Sequence, residues 1–402
     1  MNTVGTWPTT AEEESYWDGI REQFMVGEGE TYFNTGSFGS QPRPVFDSMM
    51  RVLQELEANP TRNRAAHTSR EAESRSRLAA FVNAPAEDIA FTTNVTMSIN
   101  MAVHGLDWNP GDEILASDQE YGAIDNCLDL AAKRHGAVIV RAKIPVPPEN
   151  PEDILEAFES MMGPKTRLLV CSHITSGTGL IVPIKELAEL AHAHGAMIAV
   201  DGAHAPGMIP LDLSDLACDF YGGNCHKWLC APKGTGLLYA SPEAQERLHH
   251  VVVSWGYNRE GSELGDNGRR QINGKPYMWG IENWGTRDQA CFIAVEAAIA
   301  FQEQVGRARI AQRGRDLAAY LRQRMGRSGW ADLISPTVPS MSGSISTFRL
   351  HGLQDIDLYA DHRITAPFGK DGEAHRVRVS THICNGFDQI DKLMDALESS
   401  RK

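Results

Sequence analysis

Residues 184–204 read IKELAELAHAHGAMIAVDGAH, and this stretch decides the fold. Its first half places apolar residues at helical spacing and ends at Gly195 after a histidine, as the C-terminus of a helix does. The apolar run 197–200 that follows predicts a strand buried in the middle of a sheet. A helix followed at once by such a strand is typical of βαβ units, so we expect a largely parallel sheet with helices on both faces.

The same alternation extends along most of the chain. Seven segments predict strands, at residues 88–94, 112–118, 136–144, 166–173, 195–204, 219–224 and 234–240. After residue 241, a long segment rich in glycine, asparagine and aromatic residues precedes two helical patterns, further strands and a closing helix. We therefore predict an α/β protein in three parts. They are an N-terminal segment (1–30) that packs on the small domain, a large domain (31–285) and a small α+β C-terminal domain (286–402).

The bulk composition favours a protein that acts on small molecules. The 402 residues carry a net charge of −14, which argues against a nucleic-acid or anionic-membrane partner, because both require a basic surface. Seven cysteines are dispersed along the chain, as free thiols in a reducing compartment are, and their spacing does not suit zinc. The N-terminus does not read as a secretory signal, and no apolar run is long enough for a membrane helix. We expect a cytoplasmic protein without a metal site.

Two charged residues follow neighbouring strands of the predicted sheet. Asp201 ends the strand in 195–204, and Lys227 comes 26 residues later, after the next strand. Such strand ends meet at the ligand-binding edge of an α/β sheet. The pair could be a salt bridge, and Asp201 alone could cap a turn. A pyridoxal phosphate site explains more, because the small and apolar neighbours of Lys227 would lower its pKa, as a Schiff-base lysine requires, while an aspartate keeps the pyridine nitrogen protonated.

Two further segments could complete such a site. The stretch TTNVTMSIN (92–100) joins a strand end and hydroxyl side chains to a helix N-terminus, which suits a phosphate group. Tyr121, in DQEYGA (118–123), follows another strand and could stack on the pyridine ring. Taken alone, the first segment is as readily a helix cap, and Tyr121 is as readily a core tyrosine.

In this order the segments resemble the class V aminotransferase group of fold-type I pyridoxal phosphate enzymes. The motifs that carry the resemblance lie between about residues 31 and 395, and they are TTNVT, QEYGA, VDGAHAPG, NCHKW with PKGTG, WGTRD and RVRVSTHICNGFDQID. YFNTGSFGSQP (32–42) and DQEYGA are most similar to the isopenicillin N epimerase-like branch. That branch also contains enzymes that process cysteine S-conjugates in natural-product pathways.

The resemblance implies roles at the cofactor ring. Lys227 would be the catalytic residue, which forms the Schiff base with the cofactor. Asp201 would pair with the pyridine nitrogen, and His204 would contact the phenolic oxygen. Tyr121 would stack on the ring, where desulfurases have histidine.

The resemblance also implies contacts to the phosphate and to the substrate. The phosphate contacts would be Val95, Thr96, Asn224, His226 and Thr286. Thr286 would reach the phosphate of the neighbouring subunit, which implies a homodimer with shared active sites. Arg378 would form a fork onto the substrate α-carboxylate, a role that lysine fills poorly, and Asn34 would line the substrate side.

Pattern alone leaves simpler interpretations open for several of these residues. Arg378 alternates with two valines, as an outward strand residue does, His204 could be a core histidine, and Thr286 could cap a helix. Substrate side-chain recognition is expected from the mobile-looking segments 57–77 and 253–284. Its candidates are Arg64 and Trp255. Most of the arginines from Arg70 to Arg77 are expected to form a solvated helical face.

Four reactions are open once the substrate α-carbon has lost its proton. They are epimerisation, β-elimination, transamination and an oxidative decarboxylation with deamination. A desulfurase is disfavoured, because it needs a cysteine on a mobile loop whereas Cys384 lies in a strand-to-helix turn. We expect β-elimination on a cysteine S-conjugate, with epimerisation of an amino-acid-containing metabolite as the first alternative. A catalytically silent binding protein is the alternative from another class, and the presence of Lys227, Asp201 and Arg378 disfavours it.

Overall fold

The computed structural model describes residues 10–258, 260–265 and 268–401. The helices are α1 (Ala11–Arg21), α2 (Arg43–Ala58), α3 (Pro60–Phe81), α4 (Val95–His104), α5 (Gly122–His135), α6 (Glu152–Glu159), α7 (Ile184–Ala193), α8 (Leu213–Leu216), α9 (Pro242–Gln245), α10 (Tyr277–Ile281), α11 (Gln289–Ile293), α12 (Val295–Val305), α13 (Arg307–Ser328), α14 (Leu358–His362) and α15 (Phe387–Ser399). The described helices include none that is both long enough and apolar enough to cross a membrane.

The described strands lie between residues 31 and 380. They are β1 (Thr31–Tyr32), β2 (Ile89–Thr92), β3 (Glu113–Ser117), β4 (Val138–Ala142), β5 (Thr166–Ser172), β6 (Met197–Gly202), β7 (Phe220–Asn224), β8 (Gly236–Ala240), β9 (Glu263–Leu264), β10 (Arg270–Ile272), β11 (Lys275–Pro276), β12 (Ala331–Leu333), β13 (Ile345–Leu350), β14 (Ile364–Thr365), β15 (Phe368–Asp371) and β16 (Ala374–Ser380).

The central sheet contains all seven strands that the sequence predicts. Its order is β2-β8-β7-β6-β5-β3-β4. Neighbouring strands are parallel except where β8 pairs with β2 and β7, so β8 alone runs against the others. The prediction of an α/β fold with a mostly parallel sheet is therefore confirmed.

The stretch 184–204 folds as its pattern predicts. Helix α7 occupies its first half, and Gly195 follows the helix with a φ of 73°, in the left-handed region that favours glycine. Strand β6 follows with Ile198, Ala199 and Val200 fully buried. Because alternate residues of β6 face opposite sides, Val200 joins the core on one face of the sheet and Ala199 the core on the other. Burial on both faces is what makes this strand continuously apolar.

A second, antiparallel sheet forms from the last part of the chain. Its order is β12-β13-β16-β15, and its core includes Phe348, Val377 and Val379, together with Leu321 from α13 and Leu393 from α15. Helices on an antiparallel sheet make this part α+β, as the sequence predicts.

The N-terminal segment contacts this last part of the chain. Glu14 of α1 forms an ion pair with Arg313 at 2.6 Å, and Arg21 forms one with Asp388 at 3.0 Å. Strand β1 pairs in parallel with β14, so the contacts extend beyond residue 30. The domain boundaries at residues 31 and 286 stay a prediction.

Candidate active site

Asp201 and Lys227 meet at the end of two adjacent parallel strands. Asp201 lies in β6 opposite Gly222 of β7, and Lys227 follows the end of β7 by three residues. The loop that leaves β6 carries His204, whose Nε2 lies 3.5 Å from Nζ of Lys227. The structure therefore brings together three of the four residues that the sequence predicts around the cofactor ring.

Lys227 is an amine in a buried position. Burial lowers its pKa to about 8, and the positive charge of Arg378 adds to this effect while Asp201 opposes it. An amine with this pKa is partly neutral near neutral pH, as a lysine that attacks an aldehyde must be. Because its amine is buried, Lys227 is not an ordinary surface lysine.

Asp201 is buried with one of its oxygens engaged. The backbone N–H of Ala203 donates to Oδ1 at 2.9 Å, whereas Oδ2 has no hydrogen-bond partner among the described residues. Burial raises the pKa of Asp201, and the Ala203 N–H and Lys227 counteract this increase. A protonated ring nitrogen beside Oδ2 would supply the missing charge partner.

The N-terminus of α4 lies beside these residues because β7 has glycines where the helix approaches. A Cβ at Gly222 would come within 2.8 Å of Val95 Cγ2 and 2.9 Å of Ser98 Cβ. Asn94 caps the helix, since its side chain accepts from the N–H of Met97 at 3.0 Å. The positive end of the helix dipole is therefore held near the loop that carries Lys227.

The predicted phosphate contacts show how such a group would be bound. The N–H of Val95 already donates to Oδ1 of Asn224 at 2.8 Å, so this pair fixes the helix start. The side-chain nitrogen of Asn224 and the N–H and hydroxyl of Thr96 make no hydrogen bond to a described residue. His226 Nδ1 lies 3.0 Å from the carbonyl of Thr235, and burial lowers its pKa, so His226 would donate to a phosphate from Nε2 only when protonated.

Arg378 lies half-buried, and its hydrogen-bond partners among the described residues are all neutral. Its guanidinium donates to Asn34 Oδ1 at 3.1 Å and to Ser37 Oγ and Ser176 Oγ, each at 2.9 Å. No described carboxylate pairs with it, and its Nε is buried without a partner. Burial lowers the pKa of Arg378, whereas the nearby phenol of Tyr121 favours its charged form. The interpretation as an outward surface residue is wrong, because the side chain is directed into this polar cluster.

Tyr121 is not a core residue. It precedes α5 directly and its side chain is 52% exposed, so the alternative of a core tyrosine is wrong. Its phenol favours the charged form of the Arg378 guanidinium and so raises the pKa of Arg378, and its stacking on the ring stays a prediction.

Comparison with known proteins adds the family to this geometry. A sequence model of the family described as aminotransferase class-V matches residues 31–393. The chain belongs to the class V aminotransferase family.

Two proteins similar to this chain over nearly its whole length are isopenicillin N epimerases. The one from Amycolatopsis lactamdurans is 37% identical, over 96% of this chain and 99% of that protein. The one from Streptomyces clavuligerus is 34% identical, over 95% and 98%. Both confirm the predicted resemblance to the isopenicillin N epimerase-like branch.

Solved structures confirm the fold. A complex between the cystine C-S lyase C-DES and its reaction product cysteine persulfide has a TM-score of 0.82 at 23% identity, over 93% of this chain and 99% of that one. This likeness shows the fold, which is that of fold-type I pyridoxal phosphate enzymes. The cofactor of the class V chain is pyridoxal phosphate, as the sequence predicts.

The described residues fit this cofactor. Lys227 would hold its aldehyde carbon, Asp201 its ring nitrogen and His204 its phenolic oxygen. Free donors of Thr96 and Asn224 at the start of α4 would hold its phosphate. Each of these roles uses an atom that the chain itself leaves available.

Glu120 also lies at this site, although no sequence motif predicts it. Its carboxylate accepts from the hydroxyl of Ser117, and from Ser172 Oγ at 2.7 Å. Burial raises the pKa of Glu120 to about 7, against the effect of both serines, and the charge of Asp201 raises it further. Glu120 thus links the ends of β3 and β5 next to Asp201. Its place beside Tyr121 in QEYGA was the only signal in the sequence.

Arg64, Trp255 and Thr286 lie elsewhere in the same chain. They line a cleft of about 960 Å³ between α3 and the segments around α10 and α11, and Lys227 is not part of its wall. The expected substrate contacts of Arg64 and Trp255 are therefore not made within one chain. Thr286 also does not cap α11, because Asp288 Oδ1 accepts from the N–H of Ala290 at 2.9 Å.

None of the described cysteines is an activated thiol. All seven are free, and only Cys291 is not fully buried. Burial raises the pKa of Cys384 to about 11 and that of Cys291 to about 12. Cys384 lies in the turn between β16 and α15, as expected, and is not placed to accept sulfur from a substrate.

Proposed function

We propose that this class V enzyme epimerises an amino-acid centre in a small metabolite. The observation that carries the proposal is the amine of Lys227, with a pKa of about 8, beside the guanidinium of Arg378, which no carboxylate neutralises. An α-carboxylate on Arg378 would place the α-carbon of the substrate near that amine. The two isopenicillin N epimerases, more than a third identical over nearly the whole chain, support this reaction.

Each residue has a definite task in the proposed reaction. Bound pyridoxal phosphate would make the C–H bond at the substrate α-carbon acidic by withdrawing electrons from it. Arg378 would fix the α-carboxylate, and Lys227 would remove the proton. Asp201 would keep the ring nitrogen protonated. Return of a proton to the opposite face of the α-carbon completes an epimerisation.

This proposal reverses the order of the two reactions expected from the sequence. The sequence favours β-elimination on a cysteine S-conjugate, but the likeness to a C-S lyase is at 23% identity and concerns the fold. Elimination begins with the same proton removal, so it becomes an alternative outcome of the experiment below. We expect the enzyme to act in the cytoplasm.

We also propose a homodimer in which each protomer completes the site of its partner. Arg64, Trp255 and Thr286 gather in one cleft away from Lys227, which supports contact with a second copy. In that arrangement Thr286 would reach the partner's phosphate site, as the resemblance implies. Arg64 and Trp255 would then contact the partner's substrate.

The test is an incubation of holoenzyme in D₂O with isopenicillin N and, separately, with an S-alkyl cysteine conjugate. We expect deuterium to enter the α-position of isopenicillin N, followed by the D-epimer on chiral chromatography, without pyruvate or thiol. Equimolar thiol and pyruvate from the conjugate would instead support the lyase. Aldehyde with carbon dioxide would support the oxidative reaction. Absence of exchange and of every product would contradict the proposal.

Replacement of Arg378 by lysine tests the carboxylate site. Lysine keeps the charge but cannot form two parallel hydrogen bonds, so we expect KM to rise about 10- to 100-fold with a smaller change in kcat. Arg349→Lys is the control, because Arg349 lies on the neighbouring strand β13 with an exposed side chain, paired to Asp371 at 2.9 Å. An unchanged KM for Arg378→Lys would remove Arg378 from the substrate site.

A further inference from the structure

Trp228 directly follows Lys227, and its indole contacts the histidine that faces the same lysine. The indole Nε1 donates to Nδ1 of His204 at 3.1 Å. Trp228 is fully buried, and His204 is 1% exposed. We infer that Trp228 is a positioning residue that holds His204 in one neutral tautomer, with its proton on Nε2. The contact itself is a property of this chain, and only its effect on the cofactor rests on the proposed site.

The tautomer follows from the chemistry of the two groups. An indole nitrogen can donate a hydrogen bond but cannot accept one, so Nδ1 of His204 must be the acceptor. A neutral imidazole carries one proton, which is then on Nε2. A ring that carried its proton on Nδ1 would face the indole N–H with a second donor and would leave two buried polar groups unpaired.

The surroundings also keep the ring uncharged. Burial holds the pKa of His204 well below its usual value, and the positive charges of Lys227 and Arg378 lower it further. Protonation would have to occur at Nδ1, where it would displace the indole N–H. His204 is therefore neutral over the range in which the enzyme would work.

A fixed tautomer restricts what His204 can do. Its Nε2–H faces Nζ of Lys227 at 3.5 Å, so it can donate to the neutral amine or to an oxygen placed between them. It cannot accept a proton, because Nε2 is already protonated and Nδ1 is occupied. His204 is thereby excluded as the base that removes the α-proton, and that role is left to Lys227.

Neighbouring groups hold both the backbone and the indole of Trp228 in place. The side chain of Gln302 donates to the carbonyl of Trp228 at 2.8 Å. The ring of His382 packs edge-on against the indole, with ring centroids 5.6 Å apart. A Cβ at Gly207 would lie 2.6 Å from the carbonyl carbon of Trp228, so the backbone at Gly207 packs directly against the backbone of Trp228. The Gln302 bond and the approach of Gly207 fix the backbone of Trp228, and the His382 ring restrains the indole beside His204.

The test is NMR of ring-labelled histidine in the full chain, with and without pyridoxal phosphate. His204→Gln identifies the His204 signals by difference. We expect the shifts of an unprotonated Nδ1 and a protonated Nε2, unchanged between about pH 6 and 8. Trp228→Phe, which keeps an aromatic ring but removes the donor, should shift the ratio of the two tautomers by about 5- to 30-fold.

Trp330→Phe is the matched control. Trp330 is also buried in the core of the C-terminal sheet, but its Nε1 makes no hydrogen bond to any residue that the structure describes. Its replacement should leave the His204 signals unchanged. A protonated Nδ1 in the unaltered chain would overturn the inference even if Trp228→Phe failed to fold. So would His204 signals that Trp228→Phe leaves unaltered.

The absorbance of bound pyridoxal phosphate gives a second measurement. If His204 donates to the phenolic oxygen, weakening this bond in Trp228→Phe should raise the pH at which the absorbance changes by about one unit. Trp228→Phe could change the tautomer in the cofactor-free chain but leave the pH of the absorbance change unaltered. That result would support the Trp228 contact and contradict the proposed contact of His204 with the phenolic oxygen of the cofactor. Absence of both changes would contradict the inference itself.

Discussion

Lys227→Ala is expected to abolish proton exchange at the substrate α-carbon, lowering its rate by about 10³-fold or more. The amine is the described basic group that lies beside Asp201 and His204, and the fixed tautomer of His204 prevents that ring from replacing it. In the unaltered enzyme the rate should rise with pH around 8, because the amine must be neutral to take a proton and burial lowers its pKa to about 8. Deuterium incorporation measured by NMR gives both results.

The control for this prediction is Lys165→Ala, which removes an exposed lysine and should leave exchange unchanged. Cofactor content should be measured in each variant by absorbance after denaturation. Lys227→Ala that retains its cofactor and still exchanges at more than about a hundredth of the normal rate would show that another group is the base.

Glu282→Gln is expected to lower the free energy of unfolding by about 3–5 kcal/mol. Glu282 is buried and forms ion pairs with Arg75 and, at 3.1 Å, with Arg287, and it also accepts from the N–H of Phe91 at 2.7 Å. The amide has nearly the same volume but no charge, so the buried guanidinium of Arg75 would lose its counter-ion. The change in unfolding midpoint on denaturant titration of the holoenzyme measures the effect.

Glu303→Gln is the matched control for this loss. Glu303 pairs with Arg77 at 2.7 Å, but both side chains are nearly half exposed, so its replacement should cost less than about 1 kcal/mol. Equal midpoints for the two variants would mean that the buried network contributes no more than a surface pair. We expect a clearly lower unfolding midpoint for Glu282→Gln than for Glu303→Gln, because a buried charge depends on its partner far more than a solvated charge does.

The sheet, and the meeting of Asp201 and Lys227 at its edge, could be predicted because their signals are local. Each strand of the central sheet is a short apolar run, and Asp201 and Lys227 follow two of these runs directly. Parallel strands then bring their ends together without any further information. The same reasoning cannot find Trp228 as the partner of His204, since an apolar residue after a lysine reads as core in any fold.

The arginines of α3 show where a local pattern is insufficient. The segment 57–77 is predicted to be mobile, but most of it is helix α3. Arg77 is exposed as predicted, whereas Arg70 is half-buried and paired with Glu55. Arg75 is buried instead, because its partner Glu282 comes from a segment 207 residues further along the chain. Nothing in the helix itself indicates that contact.

The prediction that Arg64 and Trp255 contact the substrate also depends on a local pattern. Their residue types suit recognition of a polar or aromatic group, but the sequence does not say on which side of the molecule they lie. The fold puts them in a cleft that Lys227 does not reach. Whether two copies share a site is a property of an assembly, and no pattern in one chain contains it.

The loop that carries Asn34 also limits how this enzyme can diverge. The N–H of Gly39 donates to the carbonyl of His226 at 2.8 Å, and a Cβ at position 39 would lie 1.9 Å from the carbonyl oxygen of Lys227. Any larger residue there would move the backbone of Lys227. Phe38, the residue before it, is 56% exposed, so this loop can vary at position 38 while position 39 stays glycine.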